Sequence, residues 1–355
     1  RGCFGSRTGL IRMPVDLATR VVRWQESHGR NNLPWQNTRD PYRVWLSEIM
    51  LQQTQVATVK DYYARFLAQF ADISELAAAD LDDVLALWSG LGYYSRARNL
   101  HQCAVRIVAV HGGVFPQSAE ILQTLPGIGR STAAAIASIC FGQRVAILDG
   151  NVKRVLTRAL AFDADLATAA NTRTLWEQAE ELLPVTDLGR TMPRYTQGLM
   201  DLGATVCATR KPNCDACPLA GICVAKRMGT QLQFPVKSKK LKRSVQTIWL
   251  LWAQARDGSV WLSKRPTPGV WAGLYCFPLF DDLPTLEAAV PARYRTDLEA
   301  GVVVKHVLTH KDLYLHPVKV QLPDSSMKAG GGVWAKPDQW SEMGLPAPIR
   351  KLLES

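Results

Sequence analysis

Four cysteines stand close together in the stretch CATRKPNCDACPLAGIC. They are Cys207, Cys214, Cys217 and Cys223, with the spacing C-x6-C-x2-C-x5-C. Thiolates this close can wrap one metal centre, and four of the eight cysteines in a single stretch argue against a disulfide framework. Zinc sites usually pair cysteines in two C-x2-C units, whereas one such pair with wider gaps on both sides favours an iron–sulfur cluster. We therefore predict a [4Fe–4S] cluster, in a reducing compartment.

Two carboxylates are candidates for chemistry on a sugar bond. Glu48 is the only acid in VWLSEIMLQQTQ, a mostly apolar stretch in which desolvation would raise its pKa and keep it protonated. Asp149 precedes a predicted helix, where it is either an N-cap or a carboxylate that faces a substrate. A protonated acid and an ionised carboxylate on opposite sides of a sugar bond are the groups that cleave glycosides. A structural ion pair for Glu48 and a plain helix cap for Asp149 are the alternatives.

The stretch LPGIGRSTAAAIA, residues 125–137, predicts a tight turn followed at once by an alanine-rich helix. Gly127 and Gly129 let the backbone approach a ligand without Cβ clashes. The N–H groups of such a turn can face a phosphate, helped by the N-terminus of the next helix. An ordinary turn between two helices uses the same residue types. The phosphate-binding interpretation of this turn is favoured by the following stretch, VAILDGNVKRV, which contains Asp149.

The elements that would carry these residues fall into two classes. Apolar residues such as Val56, Val59 and Tyr63 recur at helical spacing in the first part of the chain. Later apolar runs are short, rich in aromatic and β-branched residues, and bounded by Gly, Pro and Asp, which predicts strands. These runs are VQTIWLLWA, SVWLS, GLYCFP, VVVKHVLTH, DLYLHPVKVQL and GVWAK, and the helix candidates among them are PTLEAAVPARY and APIRKLLES.

We therefore predict a multidomain protein of the α and α+β classes. An all-α domain is expected over residues 14–225, including the cysteine loop, and an α+β domain over 245–355. Residues 226–244 include KRMGTQLQFPVKSKKLKR, which has seven basic residues and no acid, and we predict an exposed interdomain linker there. A linker this basic would also contact phosphates if the two domains flank a nucleic-acid duplex.

Composition narrows the class of partner. The 355 residues carry a net charge of +11 and a pI of about 9.4, which favours a polyanionic partner, with a solubilising charge excess as the alternative. No apolar run approaches the roughly 18 residues of a membrane span, so we expect a soluble protein without a membrane partner. The opening RGCFGSRTGLIR is too short and insufficiently apolar for a secretory signal. We expect a native start at Met13, with residues 1–12 upstream of it.

Several stretches together resemble the helix-hairpin-helix (endonuclease III) DNA glycosylase superfamily and, within it, the MutY-type adenine DNA glycosylases. They are LPWQ, PYRVWLSEIMLQQTQVATV, LWSGLGYYSRARNL, LPGIGRSTAAAI, ILDGNVKRV, MDLGATVC, the cysteine loop and RPTPGVWAGLYCFP. The likeness covers essentially residues 14–353. It implies a helix-hairpin-helix glycosylase domain with an iron–sulfur loop, joined to a Nudix-like α+β domain. It also implies a monomer in the bacterial cytoplasm, associated with the nucleoid.

The resemblance implies hydrolytic removal of adenine mispaired with 8-oxoguanine, or with guanine, during base excision repair of double-stranded DNA. Glu48 would protonate the adenine at N7, and Asp149 would stabilise the oxocarbenium-like sugar, directly or by transient covalent capture. Asn151 would orient this pair, and Ser131 would line the pocket. The adenine must be flipped out of the duplex for this chemistry.

Other positions match the family's DNA-contacting residues. Gln52 and Tyr93 would wedge into the base stack, Gly127 and Gly129 would grip the backbone, and Lys153 would lie near the pocket. The positions around the extruded base are Leu33, Trp35, Gln53 and Gln197. Without the resemblance, Trp35 and Tyr93 would be interpreted as core aromatic residues. Gln52 and Gln53 would then be part of a solvated helix face.

The second domain resembles a degenerate Nudix fold. A Nudix box needs clustered glutamates to hold Mg²⁺, and LFDDLPTLEAAVPARY, which follows GVWAGLYCFP, has no R-E-x-x-E-E run. The domain is therefore expected to recognise 8-oxoguanine rather than to hydrolyse nucleotides. The family reads the lesion with a Phe-Ser-His loop, and the equivalent residues here are Leu308, Thr309 and His310. Threonine keeps the hydroxyl, whereas leucine replaces the aromatic ring.

Two other functions compete with this one. An endonuclease III-like glycosylase for oxidised pyrimidines attacks the sugar with a lysine placed just after the hairpin turn. That position is Ser131 here, so efficient strand cleavage is not expected, although Lys153 is available for an incidental Schiff base. A non-catalytic iron–sulfur module that binds DNA or senses redox state is the alternative from a different class. It predicts that Glu48 and Asp149 are dispensable.

Overall fold

Helices dominate the first two-thirds of the chain, and the last third is built around one sheet. The structure is a computed structural model that describes residues 12–238, 242–323 and 331–355, with side chains from residue 16 onward. The expectations for residues 1–11 and for 239–241 of the linker lie outside the described residues. Arg12 begins the first helix.

Fourteen α-helices occur in the described residues. They are α1 (Arg12–His28), α2 (Pro41–Leu51), α3 (Val56–Gln69), α4 (Ile73–Ala78), α5 (Leu81–Leu87), α6 (Ser95–His111), α7 (Ala119–Leu122), α8 (Arg130–Phe141), α9 (Gly150–Leu160), α10 (Ala169–Glu181), α11 (Leu188–Thr205), α12 (Val224–Met228), α13 (Leu283–Ala289) and α14 (Ala347–Leu353).

Short polar side chains and glycines set the ends of the helices that carry the candidate residues. Asp40 accepts a hydrogen bond from the Tyr42 N–H before α2, whose first residue is Pro41. Asp149 accepts one from the Val152 N–H before α9. Gly142 ends α8 in the left-handed conformation, with φ 68°. The starts of α2 and α9 are therefore fixed by local chemistry.

Contacts between Cα atoms divide the chain into two compact units. One unit lies within Arg1–Gln53 and Arg106–Lys240, and the other within Thr54–Val105 and Leu241–Ser355. Helices α3–α5 and most of α6 therefore belong with the C-terminal part of the chain. The boundaries expected for the sequence domains, 14–225 and 245–355, stay a prediction.

Helix α11 is the centre of the first unit and packs against α1, α8 and α9. Two of its glycines allow close approach: a Cβ on Gly198 would lie 2.8 Å from Val21 Cγ1, and one on Gly203 would lie 2.6 Å from Asn151 Cβ. The surrounding core is apolar and includes Leu17, Val21, Ala135, Val152, Leu156, Leu175, Leu199 and Leu202. This packing brings the start of α9 against the C-terminal half of α11.

The second unit contains one sheet of eight strands. They are β1 (Ser244–Gln254), β2 (Val260–Lys264), β3 (Tyr275–Cys276), β4 (Leu279–Phe280), β5 (Glu299–Ala300), β6 (Val304–Val307), β7 (Lys311–Gln321) and β8 (Gly332–Ala335). The central path is β3-β2-β1-β7-β5, with β4 on β1, β6 on β7 and β8 on β2. Strands β1 and β7 are parallel and stay in register from Ser244–Lys311 to Gln254–Gln321, whereas the other pairs are antiparallel.

Within the second unit, the helical segment is fastened to the sheet domain by hydrogen bonds to backbone carbonyls. The hydroxyls of Ser89 and Tyr94 both donate to the carbonyl of Leu345, at 2.9 and 3.1 Å. The Arg98 guanidinium donates to the carbonyl of Ala272 at 2.6 Å. The loop between α5 and α6 is therefore anchored to the C-terminal segment.

The predicted fold class of helical and α+β parts is confirmed. Each predicted strand run contains a strand, and APIRKLLES forms α14. The other C-terminal helix candidate, PTLEAAVPARY, is only partly helical: α13 ends at Ala289 and a 3-10 turn occupies Ala292–Asp297. Pro291 lacks the N–H that a continuous helix would need, so the helix breaks there.

The first half of the predicted linker is structured, although most of its residues are exposed. Helix α12 extends to Met228, and Phe234 is only 8% exposed. The Arg158 side chain donates to the carbonyl of Gln231 at 2.8 Å, and the Leu166 N–H donates to the carbonyl of Val236 at 3.0 Å. This part is therefore not a free tether, because a buried guanidinium and a phenyl ring hold it on the first unit.

In the described ranges, none of the helices combines the length and the apolar character that crossing a membrane would require.

Substitution of Gly203 by Ala is expected to lower the free energy of unfolding by about 1–3 kcal/mol. A Cβ there would lie within 3.0 Å of the Asn151 backbone, so helices α9 and α11 must separate. Urea denaturation followed by circular dichroism measures the change. Gly189→Ala in the same helix is the matched control, because its Cβ would meet nothing within 4 Å. Equal stability of the two variants would contradict the close-approach argument.

Candidate active site

Glu48 and Asp149 lie close enough in the first unit to interact electrostatically. Glu48 is on α2 and is partly buried, and Asp149 is the N-cap of α9. The negative charge of Asp149 contributes to a raised pKa of Glu48. Residues separated by about a hundred positions in the sequence thus form one site.

The pKa of Glu48 is raised from 4.5 to about 7. Burial is the main cause, the charge of Asp149 adds to it, and the Arg30 guanidinium opposes both. The predicted rise and its cause, desolvation, are thereby confirmed. A carboxyl group with this pKa retains a proton near neutral pH and can donate it.

The carboxyl group of Asp149 is stabilised differently. Its Oδ1 accepts a hydrogen bond from the Val152 N–H at 2.7 Å, so Asp149 is indeed a helix cap. Burial raises its pKa, while the N–H groups of Val152 and Asn151 and the charges of Arg154 and Lys153 lower it. Burial outweighs these donors and cations, so the pKa of Asp149 is raised overall, while the start of α9 still supplies groups that stabilise the carboxylate. Its role as a cap is compatible with a chemical role.

Asn151 is held by an arginine that also contacts the cysteine loop. Arg154 donates from Nη2 to Asn151 Oδ1 at 2.9 Å and to the carbonyl of Gly203 at 2.6 Å. Its Nε donates to the carbonyl of Cys207 at 2.8 Å. The first turn of α9, the end of α11 and the first cysteine are thereby joined through one side chain.

A fully buried carboxylate, Asp201 on α11, organises the opposite wall of the site. Arg30 donates to it from Nε at 2.7 Å and from the backbone N–H at 3.0 Å. Gln36 and Gln197 donate to the same carboxylate at 3.2 and 3.1 Å. Asp201 therefore fixes the cation that acts on the pKa of Glu48.

Only some of the residues that are predicted to surround the extruded base lie close together. Trp35 and Gln197 line one open depression, together with Gln36. Leu33 and Trp35 are each 5% exposed, so both are core residues in this structure. Gln53 lies in the turn after α2 and has a positive φ of 57°. Gln52 is the C-cap residue of α2.

The predicted hairpin turn is present between α7 and α8. Gly127 has a positive φ of 74°, which suits glycine, and Gly129 is the N-cap residue of α8. Both glycines are exposed, and a Cβ on Gly129 would meet nothing within 4 Å. Ser131 lies in the first turn of α8 and is partly buried. The turn thus presents open backbone to solvent.

A second group of candidate residues meets in the second unit. The hydroxyls of Tyr93 and Thr309 form a hydrogen bond, and Tyr93 is 42% exposed. The loop of Leu308, Thr309 and His310 connects β6 and β7. Arg243 donates to the carbonyls of Leu308 and Thr309, each at 2.9 Å. The Ser244 N–H donates to the carbonyl of His310 at 3.0 Å, so the whole loop is held from the start of β1.

The four predicted cysteine ligands line one cavity with Leu219. Burial raises the pKa of Cys217 to about 11, and the other three cysteines add to the rise because they lie nearby. Arg158, 2% exposed, donates to Cys207 Sγ at 3.3 Å. In the described part of the chain, no three Cys, His, Asp or Glu side chains converge on the position of a single ion. Four thiols around a shared cavity with a cationic donor fit a multi-iron cluster better than one zinc ion.

The sequence did not single out Arg30, Asp201, Arg154 or Arg243. One pattern in the sequence could have indicated Asp201. It is the lone acid in MDLGATVC, and the neighbouring positions of its helix are apolar. A buried acid of that kind needs a cationic partner. The partner itself is 171 positions away, which no local pattern shows.

Comparison with known proteins agrees with the sequence resemblance. Residues 46–181 match the family described as HhH-GPD superfamily base excision DNA repair protein, and residues 248–355 match a NUDIX domain. The adenine DNA glycosylase of Buchnera aphidicola subsp. Acyrthosiphon pisum is 35% identical over 94% of this chain and 96% of its own length. The adenine DNA glycosylase of Homo sapiens is 43% identical over 65% of this chain and 47% of its own.

Solved structures agree on the helical fold. A thermostable thymine-DNA glycosylase superposes with a TM-score of 0.53 and 27% identity, covering 63% of this chain and all of its own. Endonuclease III in a non-covalent DNA complex gives a TM-score of 0.50 at 19% identity, covering 64% of this chain and all of its own. The helical part of the chain therefore has an endonuclease III-like fold.

Replacement of Asp149 by Asn is expected to bring the pKa of Glu48 below its value of about 7, because one of its two raising causes is lost. Replacement of Arg30 by Met is expected to move the same pKa upward. Titration of the ¹³C carboxyl resonance of Glu48, identified by its absence in Glu48→Gln, measures both. Asp187→Asn, an exposed change in the same unit, is the control. An unchanged pKa in Asp149→Asn would show that burial alone acts on Glu48.

Proposed function

Because the chain belongs to the adenine DNA glycosylase family and is a DNA N-glycosylase of DNA repair, we propose that it removes adenine paired with 8-oxoguanine in duplex DNA. Adenine paired with guanine is a further substrate. The observation that carries the proposal is the coupled pair of Glu48 and Asp149, with a Glu48 pKa of about 7. Such a pair supplies a proton donor and a carboxylate in one partly buried site.

Glu48 donates its proton to the adenine, at N7. Protonation lets the base accept the electron pair of the breaking N-glycosidic bond, so neutral adenine leaves and the sugar becomes oxocarbenium-like. The carboxylate of Asp149 stabilises that positive charge, directly or through a transient covalent bond. Water then adds to C1′ and loses a proton, which leaves an abasic site.

Asn151 and the hairpin support this chemistry. Asn151, one residue beyond Gly150 at the start of α9, orients the two carboxyl groups, and its own amide oxygen is fixed by Arg154. Ser131 lines the pocket. Its hydroxyl cannot form a Schiff base with the sugar, because that bond requires an amine. The action is therefore monofunctional, with no efficient strand scission. Gly127 and Gly129 offer backbone N–H groups to a phosphate.

Adenine reaches the carboxyl groups only when it is extruded from the duplex. Leu33, Trp35, Gln53 and Gln197 surround the extruded base. The hydrogen bond from Gln197 to Asp201 supports this role because it orients the amide. Gln52 and Tyr93 wedge into the stack that the base has left. The net charge of +11 favours association with DNA phosphates.

The loop of Leu308, Thr309 and His310 recognises 8-oxoguanine. Thr309 offers a hydroxyl, and its hydrogen bond to Tyr93 supports a joint role for the two residues at the lesion. The backbone of the loop is fixed by Arg243, which places the hydroxyl in a defined position. The absence of an R-E-x-x-E-E run from the sequence after GVWAGLYCFP also favours recognition over nucleotide hydrolysis.

Cys207, Cys214, Cys217 and Cys223 hold a [4Fe–4S] cluster. The bound cluster supplies a covalent link among four points of the loop, which is a structural function. Arg154 binds the carbonyl of Cys207, so the loop also supports the start of α9.

Single-turnover kinetics tests the reaction. The protein is expected to release adenine opposite 8-oxoguanine, leaving an abasic site that breaks only after alkali. Glu48→Gln is expected to lower the rate by at least 10²-fold, as expected for loss of a general acid. The rate is also expected to fall as pH rises through about 7, since Glu48 then loses its proton.

A duplex with thymine glycol and the variant Glu75→Gln are the controls. The exposed side chain of Glu75 on α4 only accepts a hydrogen bond from the Ala71 N–H, so its loss should leave the rate unchanged. Release from thymine glycol, or strand scission without alkali, would favour the endonuclease III-like alternative. No release of adenine, together with unchanged duplex binding by Glu48→Gln and Asp149→Asn, would favour a non-catalytic DNA-binding module.

The purified protein is expected to be brown, with about four iron and four sulfide per chain and absorption near roughly 400 nm. Cys217→Ser is expected to lower the iron content, whereas Cys103→Ser is not, because Cys103 is buried in α6 outside the cysteine loop. Metal analysis that finds one zinc and no iron would refute the cluster assignment.

A further inference from the structure

The loop that carries Tyr93 has an unusual backbone. Gly90, Gly92 and Tyr93 have φ values of 102°, 72° and 50°. Glycine adopts such values readily, but an aromatic residue does so only when its surroundings enforce it. A Cβ on Gly90 would collide with the Tyr62 hydroxyl, which itself donates to the carbonyl of Ser89 at 2.6 Å, so the start of the loop is closely packed. Tyr93 is thus held in a left-handed conformation.

Arg96 lies beneath this loop and is buried. Its Nη2 donates to the carbonyls of Leu91 and Gly92, at 3.3 and 3.1 Å, and to Thr54 Oγ1 at 3.1 Å. The indole N–H of Trp88 donates to the same Gly92 carbonyl at 3.1 Å. Two donors therefore point the Gly92 carbonyl into the protein.

The orientation of that carbonyl determines the backbone of Tyr93. The Gly92 carbonyl and the Tyr93 nitrogen belong to one planar peptide, so the two donors fix the orientation of that plane. The Tyr93 carbonyl accepts a hydrogen bond from the Arg96 N–H at 2.9 Å, which holds the next peptide plane. With the planes on both sides of its Cα held, the rotation about the Tyr93 N–Cα bond is restricted. Without the two donors, Tyr93 can return to a negative φ, and its Cα–Cβ bond then points in another direction.

Arg96 also supports the side chain of Tyr93. Its guanidinium carbon lies 5.5 Å from the centre of the Tyr93 ring, within the range of a cation–π contact. The ring hydroxyl is bound by Thr309, so the ring is held at both ends while 42% of the residue remains exposed. Burial lowers the pKa of Arg96 to about 10, which leaves the guanidinium charged at neutral pH.

We infer that Arg96 is a positioning residue that holds Tyr93 in the conformation needed to enter the base stack of DNA. This inference rests on the proposed function, in which Tyr93 is the wedge. Arg96 is buried beneath the loop and acts through the Gly92 carbonyl and the Tyr93 ring. Its loss should therefore impair unstacking of the bases more than it weakens binding of the duplex.

Fluorescence of 2-aminopurine placed next to 8-oxoguanine reports this unstacking, because the base brightens when its neighbours separate. Full-length protein carrying Glu48→Gln is used, so that no adenine is released, and saturation is verified by anisotropy. The reference protein is expected to increase the fluorescence. Arg96→Met should lose most of the increase at saturation, and the Tyr93→Ala/Arg96→Met double variant should match Tyr93→Ala alone.

Arg106→Met, an exposed change on α6, is the control and should keep the full increase. If Arg96→Met does not fold, Arg96→Lys takes its place, since a lysine keeps the charge but lacks the planar guanidinium. The full fluorescence increase in the Arg96 variant, or a further loss in the double variant, would overturn the inference. A full increase in Tyr93→Ala would instead overturn the wedge assignment in the proposed function, and the inference with it.

Discussion

The buried carboxylate of Asp201 is the constraint on which the active site depends. A charge without solvent exposure must be compensated by nearby donors, and three side chains that precede it in the chain supply them. Arg30 and Gln36 belong to the segment between α1 and α2, whereas Gln197 is one turn earlier on α11. Two distant parts of the chain are therefore joined by one ionised group. The position of Arg30 in turn limits how far the pKa of Glu48 rises.

Helix α9 connects Asp149, at its N-terminus, with the cysteine loop. Asp149 caps its N-terminus, where the helix dipole and the free N–H groups favour a carboxylate. Farther along, Arg154 and Arg158 donate to the backbone of the cysteine loop, through the carbonyls of Cys207 and Ala208. The end of the helix that carries Asp149 is therefore within about three turns of the cysteine loop. Displacement of the loop would be transmitted through a rigid element to the carboxylate.

The sequence predicts those features that depend on local pattern. Short aromatic and β-branched runs predict the strands, and desolvation in an apolar stretch predicts the raised pKa of Glu48. Features that depend on distant partners were missed: Asp201 with Arg30, and the structured half of the linker, where Arg158 takes Gln231 as an acceptor. The left-handed φ of Tyr93 was also missed. The neighbouring glycines predicted a turn, but they did not predict the positive φ of Tyr93 itself. Buried donors from other parts of the chain impose that conformation.

Arg243 belongs to the basic segment in the sequence, yet its hydrogen bonds belong to the loop of Leu308 and Thr309. The parallel register of β1 and β7 causes this, because it places the residues before each strand side by side. The connecting segment is consequently anchored on both sides of residues 239–241. An insertion within residues 229–238 would disturb the contacts of Gln231 and Val236 with the first unit, whereas an insertion between Arg243 and Ser244 would rebuild the loop. Conservation of length is therefore expected on each of these two sides.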